Sequence, residues 1–271
     1  MNWSPDPTLF EIFGFGIHTY SLMFVIAFSL GYYLMKGMFK TEKVAFKYLE
    51  PLLFYMVFST LIGARLGHVF FYDWGYFSQH PLEILLPIKD MGTGYKFIGF
   101  RGLASHGAVI GILFGIYLFQ KKYNFKSWLW ILDRLTLPVA IGGMFVRIGN
   151  FFNSEIVGKY TGTDFGVVFL NNRETLPRHP AQLYEALGYF ILFWILRRLY
   201  SKYKDREGML LGVFFAGLFS LRFLVEYVKE SQGGFETLLP LFSTGQWLSI
   251  PCIIGGLVLV WYANKRATAK A

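Results

Sequence analysis

Long apolar stretches alternate with short polar segments along the whole chain. Most of these stretches approach the ~20 residues that an α-helix needs to cross the hydrocarbon core of a bilayer, although some are slightly shorter. The pattern therefore predicts an all-α polytopic membrane protein with seven transmembrane helices. The predicted spans lie at about residues 16–35, 51–72, 103–119, 129–147, 182–199, 209–227 and 246–262.

Two connecting segments are long enough to form structure outside the membrane. The first, roughly residues 73–102, carries aromatic and apolar residues over 74–87 that suit an interfacial arm lying along the lipid headgroups. The second, roughly residues 159–181, contains a predicted strand and turn over 165–172 and predicts a small extramembrane cap. We expect both segments to be loops of a single integral membrane domain over residues 1–271.

The distribution of basic residues predicts the orientation. The loops after the first, third and fifth helices and the C-terminal tail are richer in Lys and Arg than the N-terminus and the alternate loops. The positive-inside rule then places the N-terminus outside and the C-terminus in the cytoplasm. The basic residues of the richer set are Lys36, Lys40, Lys43, Lys47, Lys121, Lys122, Lys126, Arg197, Arg198, Lys202, Lys204, Arg206, Lys265, Arg266 and Lys270.

Composition supports the membrane interpretation. Of the 271 residues, 54% are hydrophobic and only 16% are charged, which is too apolar for a soluble globular domain. The net charge of +9 is explained by the cytoplasmic loops, so no nucleic-acid partner is expected. The single cysteine, Cys252, lies in the last apolar stretch, which argues against a disulfide framework or a cysteine metal site. We expect neither a metal nor a cofactor.

Four arginines lie within or at the edges of the apolar stretches. Arg134 stands beside Asp133 near the predicted inner face and is interpreted as a local pair or a snorkelling anchor. At 1.5 Å per residue, Arg65 and Arg222 lie ~10 Å and ~8 Å below the outer ends of their helices, and Arg147 is expected to end the fourth helix. Three guanidinium groups are thus predicted in the outer half of the membrane, where charged side chains mark functional sites.

The segment from Arg147 to Gly158 carries a dense group of polar residues directly after an apolar helix. Asn150, Asn153 and Glu155 follow Arg147 within three turns. An ordinary helix C-terminus would explain one arginine and one glycine but not two asparagines and a carboxylate. This segment is therefore the main candidate for a functional site.

The three arginines predicted in the outer half of the membrane, with few acids nearby, predict a bound anion. The planar fork of arginine binds two phosphate oxygens and stays charged in a dry site. The alternative is a structural Arg–Glu network, for which Arg222 and Glu226, one helical turn apart, are candidates.

Tyr20 and His106 are predicted to lie in the same outer layer. His106 is either a packed residue at a helix start or a general base. The second interpretation is chemically reasonable because positive neighbours would keep the imidazole neutral, as a base requires.

Several motifs resemble those of the bacterial prolipoprotein diacylglyceryl transferases. The longest is the segment 147–158, and the others fall in the order in which the family has them. Two positions depart from the family pattern: Ala108 stands where the family usually has a second glycine, and Lys229 where it usually has Arg. The supporting motifs are Gly63-Ala-Arg-Leu-Gly67, Ser105-His106-Gly107, Arg178-His-Pro-Ala-Gln-Leu-Tyr-Glu185, Arg222-Phe-Leu-Val-Glu-Tyr227 and Gly245-Gln-Trp-Leu-Ser249.

This resemblance implies an enzyme of the bacterial inner membrane with its active site toward the outer leaflet. Its substrates would be phosphatidylglycerol and the lipobox cysteine in the signal peptide of a preprolipoprotein, with a thioether formed and glycerol 1-phosphate released. Such chemistry requires anion stabilisation and deprotonation of a thiol. A lipid-binding scaffold and an anion or lipid transporter are the alternative functions.

The resemblance also implies roles for individual residues. His106, Arg147 and Arg222 would be catalytic, with His106 as the base and the arginines holding the phosphate. The substrate-binding residues would be Tyr20, Arg65, Asn150, Asn153, Glu155, Gly158 and Glu226.

Overall fold

The computed structural model describes residues 1–6, 8–12, 15–97, 102–230 and 241–269, and most of these are helical. Arg101 of the predicted arm and Lys270 of the basic tail lie outside the described residues. The elements are β1 (Asn2–Trp3), β2 (Thr8–Ile12), β3 (Phe15–His18), α1 (Thr19–Thr41), α2 (Leu49–Tyr72), α3 (Trp74–Phe77), α4 (Leu82–Leu85), β4 (Ile88–Asp90), β5 (Tyr95–Phe97), α5 (Ser105–Tyr123), α6 (Trp128–Phe152), β6 (Val168–Phe169), α7 (Ala181–Tyr203), α8 (Met209–Val225) and α9 (Thr244–Thr268), with short 3₁₀ turns at Phe46–Tyr48 and Leu170–Asn172.

The long helices α1, α2, α5, α6, α7, α8 and α9 coincide with the predicted apolar stretches. Within the described part of the chain, α1, α2, α6 and α9 are long and apolar enough to cross a membrane, and α8 is apolar but shorter. The prediction of an all-α membrane protein is thus confirmed at this level. The count of seven spans and their orientation stay predictions.

The chain forms two compact units, one of residues 1–38 and 129–271 and the other of residues 39–128. In the second unit, α2 and α5 pack through small residues. A Cβ atom on Gly63 would collide with the carbonyl oxygen of Gly107, and one on Gly111 would collide with that of Ser59. The two helix backbones therefore touch directly, as small residues permit in membrane helices.

The segment after α2, which we call the arm, consists of α3, α4 and the hairpin β4–β5, and its interfacial position stays a prediction. Arg65 of α2 attaches it: Nε donates to the backbone oxygen of Ile84 (2.9 Å) and Nη2 to that of Glu83 (2.5 Å). The guanidinium carbon also lies 4.4 Å from the centre of the Phe77 ring. Arg65 thus has extensive contacts with the arm.

In the first unit, a buried acid on α6 caps the start of α8. Asp133 accepts hydrogen bonds from the backbone nitrogens of Gly208 (2.7 Å) and Leu211 (2.8 Å). Arg134 lies 3.9 Å from Asp133 and donates to the backbone oxygen of Lys204 (2.7 Å). Both side chains are about 1% exposed, so Arg134 is a buried local pair rather than a snorkelling anchor.

Residues 159–181, the predicted cap, contain a short strand and a turn, and their position outside the membrane stays a prediction. Strand β6 is only two residues long and pairs in parallel with β1 at the start of the chain. Beneath them, Trp3 packs against a cluster formed by Phe151, Val157, Val167 and Phe169. The cap is therefore fastened to the end of α6 by apolar contacts.

Candidate functional site

The end of α6 positions the polar segment that the sequence singles out. The helix continues to Phe152, so the expectation that Arg147 ends it is wrong: Arg147 lies more than a turn inside. Beyond the helix, Ser154 and Ile156 adopt left-handed backbone conformations with φ of 56° and 58°. A β-branched residue at positive φ is strained, and such strain persists where the surroundings over-determine it, often at functional sites.

This sharp turn folds Glu155 back onto the helix end. Arg147 Nη1 donates to Asn150 Oδ1 (3.0 Å), and Asn150 Nδ2 donates to Glu155 Oε1 (2.6 Å). Asn153 Nδ2 lies 3.5 Å from the same oxygen. The structure therefore joins these four residues in one hydrogen-bonded chain.

Glu185 of α7 is the carboxylate that meets Arg147. Its Oε2 lies 2.5 Å from Arg147 Nε, and its Oε1 lies 3.4 Å from the ammonium nitrogen of Lys229. Glu185 is 2% exposed, so a single buried carboxylate is shared by two cations. Burial lowers the pKa of Lys229, and the negative charge of Glu185 opposes that effect. One turn earlier, Gln182 donates to the backbone oxygen of Glu155 (2.7 Å).

Two tyrosines border this cluster. The ring of Tyr20 on α1 packs against Gly149, where a Cβ would lie 2.7 Å from it, and its hydroxyl interacts with Asn150. Tyr189 of α7 packs against Gly143, one turn before Arg147, and interacts with the Arg147 side chain. The sequence prediction includes Tyr20 but misses Tyr189.

Arg222 and Glu226 do not pair with each other. Among the described residues, Arg222 Nε is buried without a hydrogen-bond partner. Glu226 instead packs against the start of α9, where a Cβ on Gly245 would lie 2.5–2.6 Å from its carboxyl group. The structural alternative for Arg222, a pair with Glu226, is therefore absent from the described part of the chain. The unpartnered Nε leaves Arg222 with a hydrogen-bond donor that is available to a ligand.

Gly158 stands where three segments of the first unit meet. Its nitrogen donates to the backbone oxygen of His179 (3.0 Å). A Cβ at this position would lie 2.5 Å from that oxygen and 2.7 Å from the backbone oxygen of Val228. Close backbone approach thus accounts for the glycine, and its role toward substrate stays a prediction.

Arg65 and His106 belong to the second unit. Arg65 is buried against the arm. His106 is the second residue of α5 and is exposed, with its ring 5.1 Å from that of Phe71 and 5.7 Å from that of Tyr72. The role of His106 as a base stays a prediction.

Comparison with known proteins identifies relatives over nearly the whole chain. A family model described as prolipoprotein diacylglyceryl transferase matches residues 7–262. Proteins named phosphatidylglycerol–prolipoprotein diacylglyceryl transferase are similar: one from Bacteroides fragilis is 40% identical, covering 100% of this chain and 98% of the relative. Another from Tolumonas auensis is 40% identical, covering 97% of each. A third from Chloroherpeton thalassium is 40% identical, covering 98% of this chain and 95% of the relative.

Proposed function

The chain belongs to the prolipoprotein diacylglyceryl transferase family, and we propose that the cluster around Arg147 binds the phosphate of its phospholipid substrate. The protein is a membrane-bound transferase of lipoprotein maturation that acts on phosphatidylglycerol and a prolipoprotein. The single observation that carries the site assignment is the fixed guanidinium of Arg147, held by Glu185 and Asn150.

The reaction transfers the diacylglyceryl group to the lipobox cysteine of the signal peptide. The thiolate sulfur attacks the glyceryl carbon that bears the phosphate, and a carbon–sulfur bond forms. The carbon–oxygen bond to phosphate breaks, and its electron pair leaves with glycerol 1-phosphate. The thiol proton passes to a base, for which His106 is the candidate. The chemistry requires stabilisation of the leaving phosphate but no nucleophile on the enzyme.

Arg147 is suited to that stabilisation because its orientation is fixed before substrate arrives. Glu185 forms an ion pair at Nε and Asn150 accepts a hydrogen bond from Nη1, so two partners hold the guanidinium. Preorganised donors cost no reorganisation when charge develops on the leaving group. Glu185 is then a positioning residue, and Lys229 balances its charge.

Arg222 supplies the second cation of the phosphate site. Its buried Nε has no hydrogen-bond partner among the described residues, which supports a role toward a ligand. Asn153 and Glu155 orient the headgroup hydroxyls or the arginines, while Tyr20 borders the lipid. Gly158 and Glu226 shape the same site. Arg65, which is bonded to the arm, stays a predicted substrate-binding residue.

The proposed location is the bacterial inner membrane, with the site toward the outer leaflet. This follows from the concentration of basic residues in the loops assigned to the cytoplasm. Reporter fusions after Lys204 should then be cytoplasmic, and fusions near Asn171 should be external.

The test is the pair of variants Arg147→Lys and Arg222→Lys. Lysine keeps the charge but loses the planar fork, so bidentate phosphate contacts are lost. At about 1.5–3 kcal/mol for a hydrogen bond to a charged group, activity should fall roughly 10- to 160-fold. The assay measures both released glycerol phosphate and lipid-modified acceptor peptide.

Arg198→Lys, an exposed position on α7, is the matched control and should retain full activity. Near-normal turnover by both site variants would refute the phosphate role. Release of glycerol phosphate also separates the transferase from the scaffold and transporter alternatives.

A further inference from the structure

The arm hairpin places two positive charges directly opposite each other. In the register of β4 and β5, Lys89 faces Lys96, so both side chains project from the same face. Both are exposed. Opposed residues in an antiparallel pair have Cβ atoms about 4.5–5.5 Å apart, and like charges in that arrangement destabilise a hairpin.

The neighbouring carboxylates do not compensate this repulsion. Asp90 projects from the opposite face, and its Oδ1 accepts a hydrogen bond from the Gly92 nitrogen (2.8 Å). Glu83 accepts from the Asp90 nitrogen (2.7 Å) and from the hydroxyl of Tyr76 (2.8 Å). Within the described residues, neither lysine forms an ion pair with an acid. An anion held by both ammonium groups would relieve this repulsion.

The surroundings of the lysine pair match a lipid surface. The opposite face of the hairpin carries Ile88 and Phe97, and Phe97 is 57% exposed. Trp74, just after α2, is also exposed, and tryptophan favours the boundary between headgroups and acyl chains. Further exposed apolar side chains of the arm are Leu82, Leu85, Leu86, Met91 and Tyr95.

We propose that the hairpin binds the headgroup of an anionic phospholipid, with the ammonium groups of Lys89 and Lys96 on one phosphate. On the opposite face, Ile88 and Phe97 insert into the boundary with the acyl chains, whereas Asp90, next to the turn, stays bonded to the Gly92 nitrogen at the polar end of the hairpin. All residues of the proposed site belong to the arm in the second unit. Its ligand is any phospholipid whose headgroup carries a phosphate and a net negative charge.

A different explanation for the lysines is protection of exposed strand edges, since lysine discourages edge-to-edge pairing. That role requires no lipid and predicts no preference between anionic and zwitterionic headgroups. The two explanations therefore differ in lipid dependence.

The test uses the full chain in bilayer nanodiscs. Cys252→Ala removes the native thiol, and Thr93→Cys at the exposed hairpin tip receives a fluorophore. Quenching is measured with nitroxide-labelled phosphatidylserine or nitroxide-labelled phosphatidylcholine. Phosphatidylserine is chosen because it carries negative charge without being the proposed substrate, so the result does not depend on the catalytic site.

Two lysines near an anionic surface should give at least about tenfold preferential binding of phosphatidylserine. Added salt should weaken the preference, because exposed charges are screened. Lys89→Gln with Lys96→Gln should abolish it, whereas Lys121→Gln with Lys122→Gln at the end of α5 should leave it intact.

Equal quenching by the two lipids, or a preference that survives in the hairpin double variant, would overturn the proposal. Loss of preference in the hairpin double variant cannot be attributed to unfolding of the hairpin, because removing two like charges relieves repulsion between the strands. The double variant should therefore melt no lower than the parent in bilayers of phosphatidylcholine alone.

Discussion

Two adjacent glycines of α9 allow a sharp test of how the helices of the first unit pack. A Cβ on Gly256 would lie 2.6 Å from the backbone nitrogen of Ala216 and 2.7 Å from the backbone oxygen of Gly212. A Cβ on Gly255 would meet nothing within 4 Å. Gly256→Ala is therefore the perturbation, and Gly255→Ala is its matched control in the same helix.

The magnitude follows from these distances. Because Gly212 and Ala216 present rigid backbone atoms of α8, relief requires the helices to separate by about 0.8 Å to reach an ordinary contact of 3.4 Å. A gap of that size forfeits about a quarter to a half of each dispersion contact. Overpacking of this kind costs about 1–3 kcal/mol, whereas Gly255→Ala should gain about 0.5–1 kcal/mol of helix stability.

The assay is thermal unfolding in detergent, followed by a thiol-reactive fluorophore. Cys252 is the only cysteine in the chain and lies in α9, so its labelling reports the loss of this helix packing. We expect Gly256→Ala to melt several degrees lower than the parent and Gly255→Ala to melt at or above it. Equal midpoints for the two variants would refute the close approach of α8 and α9.

Two further predictions concern pH. In the cap, hydrogen bonds from Tyr160 and Arg178 lower the pKa of Glu174 below its usual 4.5, so its stabilising contribution is complete above about pH 4.5 and is lost as pH falls through the lower folded-state pKa. Hydrogen exchange over residues 159–179 should accelerate in that acidic window, and Glu174→Gln should remove the pH dependence; an unchanged profile would contradict the assignment. For His106→Gln, activity should be lost near pH 7 and partly recovered near pH 9, where a thiol of pKa about 8.5 ionises without a base. The pH–rate profile is the measurement, and equal inactivity at both values would indicate positioning instead.

The helices could be predicted from the sequence because a membrane helix satisfies its own backbone hydrogen bonds. An apolar run of about 20 residues is therefore enough to predict a helix. The end of α6 is the informative exception: polarity suggested an end at Arg147, yet the helix continues to Phe152. The polar side chains there bond to one another, so they do not compete with the helix backbone.

The shared carboxylate could not be predicted in the same way. Arg147, Glu185 and Lys229 come from three segments far apart in the chain, and only tertiary packing brings them together. The spacing of Glu185 and Tyr189 by four residues on one helix was an available signal, because such residues share a face. The pairing of β1 with β6 carried no comparable signal, since each strand is only two residues long.

The attachment of the arm by Arg65 bears on how this region can diverge between species. Its acceptors are the main-chain oxygens of residues 83 and 84, which every amino acid provides. Replacement of Ile84 by another residue therefore leaves the acceptor in place, whereas replacement of Arg65 removes the donor. The outward-facing side chains of the arm can therefore change without loss of these two main-chain hydrogen bonds.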